Sequence, residues 1–228
     1  MAGTNSAGAC VMTVLGCFVE RQPATAQDVS RYRAYVLESS LDSVLEESGA
    51  RAKDVQTVHE RPAEIHELEW RRPFLTSDGE LADPVHDITF AFYNRALYQI
   101  TVSYARDRTD GLTSNDIIEA LSVTYGSPIV TAAISRPPMA LRDSVAVAQW
   151  DNRSSSATLF RDTYSSEFKL ILMSKALSAR ARDAIHEAIR MDAIEAPRRE
   201  LEQRTKKAND ASAAREKTRT INKAAFRP

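Results

Sequence analysis

At 228 residues, with 43% hydrophobic and 27% charged side chains, the chain can build one substantial core or two small ones. Its formal charge of −1 hides an asymmetry, because from Ser178 onward Lys and Arg outnumber Asp and Glu thirteen to eight, leaving residues 1–177 acidic. Seven scattered glycines form no Gly-x-Gly or Gly-Lys-Ser/Thr run, which excludes the glycine-rich phosphate and nucleotide sites.

The longest uncharged apolar run, Ala7–Val19, is about thirteen residues long, against the roughly 20 that a bilayer-spanning helix needs. It reads as the core of a secretory leader, with Ala24-Thr25-Ala26 as the small-x-small cleavage pattern and Gln27-Asp28 opening the mature chain. Met1–Ser6 departs from that pattern in holding no Lys or Arg. Residues 1–26 are thus expected to be removed and the protein to be periplasmic or secreted. Both cysteines, Cys10 and Cys17, leave with the leader, so no thiol remains for a disulfide, a nucleophile or a zinc site. Val14-Leu15-Gly16-Cys17 resembles a lipobox, which would put a lipid anchor on Cys17; Leu15 and Phe18-Val19 fit it poorly, and the anchor is the minor alternative.

After a short extended stretch at Tyr32–Leu37, a Ser/Thr-x-x-Asp box at Ser39–Asp42 opens a helix over 41–48. Leu41, Val44 and Leu45 lie on one face of it, and Gly49 stops it. Residues 64–71 alternate as a strand ending at Trp70, with His66 and Leu68 on the same side. Pro73, Ser77-Asp78-Gly79 and Asp83-Pro84 make a long loop. From Ile88 to Tyr104 a turn at Asn94-Arg95-Ala96 would pair Phe92 with Tyr98, Phe90 with Ile100 and Ile88 with Val102, all six on one packed face. Thr89, Ala91, Gln99, Thr101 and Ser103 then fall on the solvated face.

The order then repeats. A second box at Thr113–Asp116 opens a helix carrying Ile117, Ile118, Leu121 and Tyr125, closed by Tyr125-Gly126-Ser127-Pro128. A Pro137-Pro138 loop leads to a strand through Val145, Val147 and Trp150 and to strands near 156–161 and 167–174. The last, Phe168–Met173, is apolar on both sides apart from Lys169 and reads as interior. Leu177, Ala181, Ala184, Ile185, Ala188, Ile189 and Met191 make a helical stripe able to dock as far as Ile194. Beyond Pro197 the chain is charged and poor in large apolar side chains, hence a solvated helix or a disordered tail.

The expected organisation is a leader (1–26), a first α+β module (27–110), a second (111–177), a docked helix (178–197) and a charged tail (198–228). The fold class is α+β: tandem helix-then-antiparallel-sheet modules with one open sheet face, plus a long C-terminal helix. The helix boxes repeat after 74 residues and the tryptophans after 80. Phe92–Ile100, Tyr125-Gly126-Ser127-Pro128 and the Trp150 strand resemble the pattern of small envelope lipoproteins of the SmpA/OmlA type. The tandem arrangement resembles β-lactamase inhibitory protein. The likeness covers about residues 32–177, and it implies an envelope-associated binding protein; the chain departs from that lipoprotein in its weak lipobox, its two modules and its long helix.

There is no Gly-x-Ser-x-Gly elbow, and Ser154-Ser155-Ser156 after Asp151-Asn152-Arg153 suits a β-turn. His59, His66 and His86 fall close together with Glu60, Glu64, Glu67 and Asp87, yet their spacing matches no His-Glu-x-x-His arrangement. In the tail, Arg198-Arg199 and Arg204–Lys207 are interleaved with Glu200, Glu202, Asp210 and Glu216 and lack an aromatic platform, which argues against nucleic acid. Glu67 and Glu69 are side by side as any alternate strand residues are. Trp70 and Trp150 suit core anchors. No cofactor or metal follows. What remains is the face of Thr89, Gln99 and Thr101 with Tyr93 at the turn, suited to a protein partner. The reading is an exported, non-enzymatic protein-binding module; the alternative is a secreted or periplasmic enzyme with a site formed between the modules. A cavity lined by polar side chains of both modules would favour the enzyme.

Overall fold

A computed structural model describes residues 28–71, 83–129, 143–225 and 227. A two-stranded ribbon, β1 (Arg31–Tyr32) with β2 (Tyr35–Val36), precedes helix α1 (Leu41–Ser48). Strands β3 (Val55–His59), β4 (Ile65–Arg71), β5 (Val85–Tyr93) and β6 (Ala96–Tyr104) follow. Next come the short helix α2 (Arg106–Thr109) and helix α3 (Ser114–Tyr125). Strands β7 (Ser144–Asp151), β8 (Ser155–Asp162) and β9 (Phe168–Ser174) lead into the 51-residue helix α4 (Lys175–Ala225). The fold is α+β.

All seven long strands join one antiparallel sheet in the order β3-β4-β5-β6-β9-β8-β7. Outward from the β6–β9 seam the two sides correspond, β5 to β8 and β4 to β7, each outer strand carrying its tryptophan. Even β3 has a trace of a counterpart, since Ile129 bridges Gln149 of β7. The apolar strand β9 lies inside the sheet, as its two-sided composition predicts.

The main core fills one face, beneath α1, α3 and the ribbon. Phe90, Phe92, Ile100, Leu159 and Leu170 are fully buried there, with Leu41, Val44 and Tyr125 packed over them. Trp150 is also fully buried, and its Nε1 donates to the Gly126 carbonyl at 2.8 Å, fastening the end of α3 to β7. Trp70 packs on the same core but is only half-buried.

Three local expectations are corrected. At α1 the cap is Ser40, whose side chain accepts from Ser43 N, and the Ser39–Asp42 box does not form. Ser39 is held elsewhere: its carbonyl accepts from Leu97 N at 2.9 Å, and the Asp42 carboxylate accepts from Arg95. At α3 the box of Thr113 and Asp116 is complete. In the β5–β6 hairpin Ile88 pairs Val102 and Phe90 pairs Ile100, but Phe92 pairs Leu97. Tyr98 is the extra residue of a bulge, which turns it to the opposite face beside Ile65, Ala91 and Ala181. In α4, Ile189 stands off the docked stripe and is 56% exposed.

Strand β3 and helix α2 have no counterpart in the sequence reading. Val55, Thr57 and Val58 are β-branched and Pro62 follows as a turn former, so a hairpin signal exists, though its side chains are mostly exposed and give no alternation. The loop expected at 72–87 falls largely on residues 72–82, and the leader, Cys17 and the Pro137-Pro138 loop also lie outside the described residues.

Candidate functional site

Cross-strand register sets out the second face of the sheet in rows. Asp87, Ser103, Lys169 and Phe160 form one; Thr89, Thr101, Ile171 and Thr158 the next; Ala91, Gln99, Met173 and Ser156 the third. Helix α4 crosses the hairpin end of this face. Leu177, Ala181 and Ile185 pack on Ile65, Ala91, Tyr93 and Tyr98, and the buried positions 178, 181, 184 and 188 keep helical spacing.

The four residues expected to bind a partner are thereby separated. Thr89 and Thr101 are cross-strand neighbours, and Gln99 Nε2 donates to Thr101 Oγ1 at 3.1 Å; all three are half-buried. Tyr93 belongs instead to the cluster under α4. A strip with Thr89 and Thr101 at its centre and exposed Glu67 and Glu69 at its β4 margin is left between α4 and the far end of the face.

At that far end opens a cleft of about 670 Å³ lined by His86, Asp87, Ser103 and Tyr104 from the first half of the sheet and Glu167 and Lys169 from the second. Arg106, Asp107 and Asp110, around α2, complete its rim. His86 Nδ1 lies 2.7 Å from Asp87 Oδ2, an arrangement that orients an imidazole for proton transfer. Tyr104 lines the cleft, but its side chain packs on the main core beside Tyr32, where burial holds the phenol well above its usual range and protonated. Ser103 makes no hydrogen bond to His86, so among the described residues the dyad has no nucleophile attached. Only α2 and the register of β5, β6 and β9 bring these groups together, which is why no local motif announces them.

The three histidines considered as metal ligands do not converge. His59 ends β3 near α4, His66 points its Nδ1 into a buried, unpartnered position, and His86 is in the cleft. Among the described residues no three His, Cys, Asp or Glu side chains are grouped to hold a metal ion, and no helix is long and apolar enough to cross a membrane.

Where α4 passes the sheet edge it is clamped. The Glu195 carboxylate accepts from Arg61 at 3.0 Å and from Arg199 at 2.7 Å, and Arg199 also reaches Asp192 at 2.9 Å. The hydrogen bonds from Arg61 and Arg199 lower Glu195 to about 2. Beyond this clamp every described residue of α4 is exposed. No protein-family model matches the chain, and neither the curated proteins nor the solved structures include a match.

Proposed function

We propose that the protein is an exported, non-enzymatic binding module that receives a protein partner on the second face of its sheet. The observation that carries this reading is the half-open strip of Thr89, Gln99 and Thr101, set on a fully paired sheet and bounded by α4 on one side and the cleft on the other. Short polar side chains on a rigid support lose little conformational entropy when covered, and their hydroxyls and amide can satisfy a partner's backbone. The envelope association implied by the SmpA/OmlA-type resemblance belongs to the same proposal. A photo-crosslinking residue in place of Thr101 should give a discrete protein adduct in the native host, and the same probe at Val123, 87% exposed on α3, should not. No adduct at 101, or equal adducts at both, would turn the reading down.

A second reading is favoured by one observation, the cleft lined from both halves of the sheet. On this reading the protein is a secreted or periplasmic enzyme in which His86, oriented by Asp87, moves a proton on a small polar substrate between Lys169 and Arg106. Native mass spectrometry decides it. A small molecule retained by the wild type and lost in His86→Ala supports the enzyme; an unliganded spectrum against a polar metabolite library speaks against it.

A further inference from the structure

Charge divides this molecule into two opposed parts. Residues 198–228 hold ten Lys/Arg against four Asp/Glu, while residues 28–197 hold nineteen against twenty-six. The basic part cannot neutralise the acidic part within one chain, because α4 carries it away from the body and leaves all of its described side chains exposed. Near the clamp the arginines are matched by Glu200 and Glu202, but Lys206, Lys207, Arg215, Lys217 and Lys223 make no ion pair among the described residues. On the body, the four carboxylates of the cleft, Asp87, Asp107, Asp110 and Glu167, outnumber its Arg106 and Lys169, and Glu67 stands exposed beside the strip; Glu67, Asp110 and Glu167 make no ion pair among the described residues.

The dimensions agree. A strand rise of about 3.4 Å puts the Asp87 row about 14 Å from the Ala91 row on which α4 rests, room for a second helix at an interaxial distance of about 8–10 Å. From Glu69 on the next row to Glu167, diagonally across β4, β5, β6 and β9, the sheet measures about 20 Å, and an α-helix from Lys206 to Lys223, about 25 Å long, covers it with about one turn to spare.

We propose that the occupant of the second face is the distal arm of α4 from a second copy of this chain. Each copy lays its basic helix, Lys206–Lys223, along the acidic-rimmed strip of the other. The contact is reciprocal, so it closes as a two-fold dimer rather than growing into a filament. Because opposite charges supply the attraction, the dimer weakens with salt. This names the partner for the binding reading above and rests on it.

Sedimentation of the full-length chain tests this. At about 10 mM salt, where screening reaches about 30 Å, the wild type should sediment as a dimer, and at about 1 M salt, where it reaches about 3 Å, as a monomer. Reversing the arm (Lys206→Glu, Lys207→Glu, Lys217→Glu) or the strip (Glu67→Lys, Asp110→Lys, Glu167→Lys) should weaken self-association at least tenfold. Mixing the two variants should restore a dimer, since every arm then meets a strip of opposite sign. A wild type that stays monomeric at low salt, a dimer indifferent to either reversal, or a mixture that remains monomeric overturns the proposal. Such a result with the Thr101 adduct intact on a different protein leaves the binding reading standing; loss of that adduct removes both.

Discussion

Two tryptophans in equivalent places of a duplicated pattern differ in how much they hold. Trp150 is fully buried, stacks at a tilt 5.9 Å from Tyr125 and donates to Gly126, whereas Trp70 is half-buried. Trp150→Ala should cost about 3–5 kcal/mol, and Trp70→Ala roughly half as much, because only part of its area leaves water on folding. For a chain of this size, thermal unfolding should report the first as a drop of about 6–20 °C; equal drops for both variants would show Trp70 to be as deeply packed as Trp150. The sequence places both tryptophans on core-facing strand positions but cannot rank them, since rank depends on the turn at Gly126 and on what lies over each strand end. The same limit explains Tyr98. Perfect alternation would put it with Phe92, and one inserted residue at a bulge reverses its side without altering any local propensity.

At the scale of elements, helix punctuation was the most legible feature, because Gly49, Gly126 and the Thr113–Asp116 box act on their own neighbours. What covers the second face was less legible. The apolar stripe of α4 foretells a docked helix, yet nothing in its spacing says which strands it crosses, and the cleft depends on pairing between strands over sixty residues apart. The clamp that ends the docked part offers a pH test. Glu195 sits at about 2 when folded, below its ordinary value of 4.5, so its contribution is present above pH 4.5 and is lost as pH falls towards 2. Amide exchange of residues 188–199 should therefore quicken between pH 4.5 and 2 relative to the core, and Glu195→Gln should show the quicker exchange already at neutral pH. If the mutant and wild type exchange alike at neutral pH, Arg61 and Arg199 contribute nothing to holding α4.

Over the whole molecule, the acidic body and the basic arm are separate in charge and in packing, and the separation has consequences for stability and processing. Export would remove the segment before Gln27, so N-terminal sequencing of protein from its native host should read from near Gln27; an intact Met1 in a cytoplasmic fraction would refute export. At the other end, the arm is continuous helix through Pro197, which lacks the amide hydrogen for the bond to residue 193 and marks where docking gives way to projection. From Arg198 onward every described residue is exposed, Leu201 and Ile221 included at 66% and 59%. A helix in that setting is supported by its own i,i+3 and i,i+4 pairs, Arg198 with Glu202, Arg204 with Glu200 and Arg219 with Glu216, each worth about 0.2–0.5 kcal/mol, and adds nothing to the core. Deleting residues 198–228 should then leave the melting temperature of the body within a few degrees, measured at about 1 M salt so that any arm-to-face contact between copies is screened in both proteins. Arg199 goes with the deletion, but Glu195 keeps Arg61, so the docked turns of α4 retain one of their two anchors. A large loss of stability would show that the arm packs on the body, and would place the boundary between scaffold and arm well beyond Pro197.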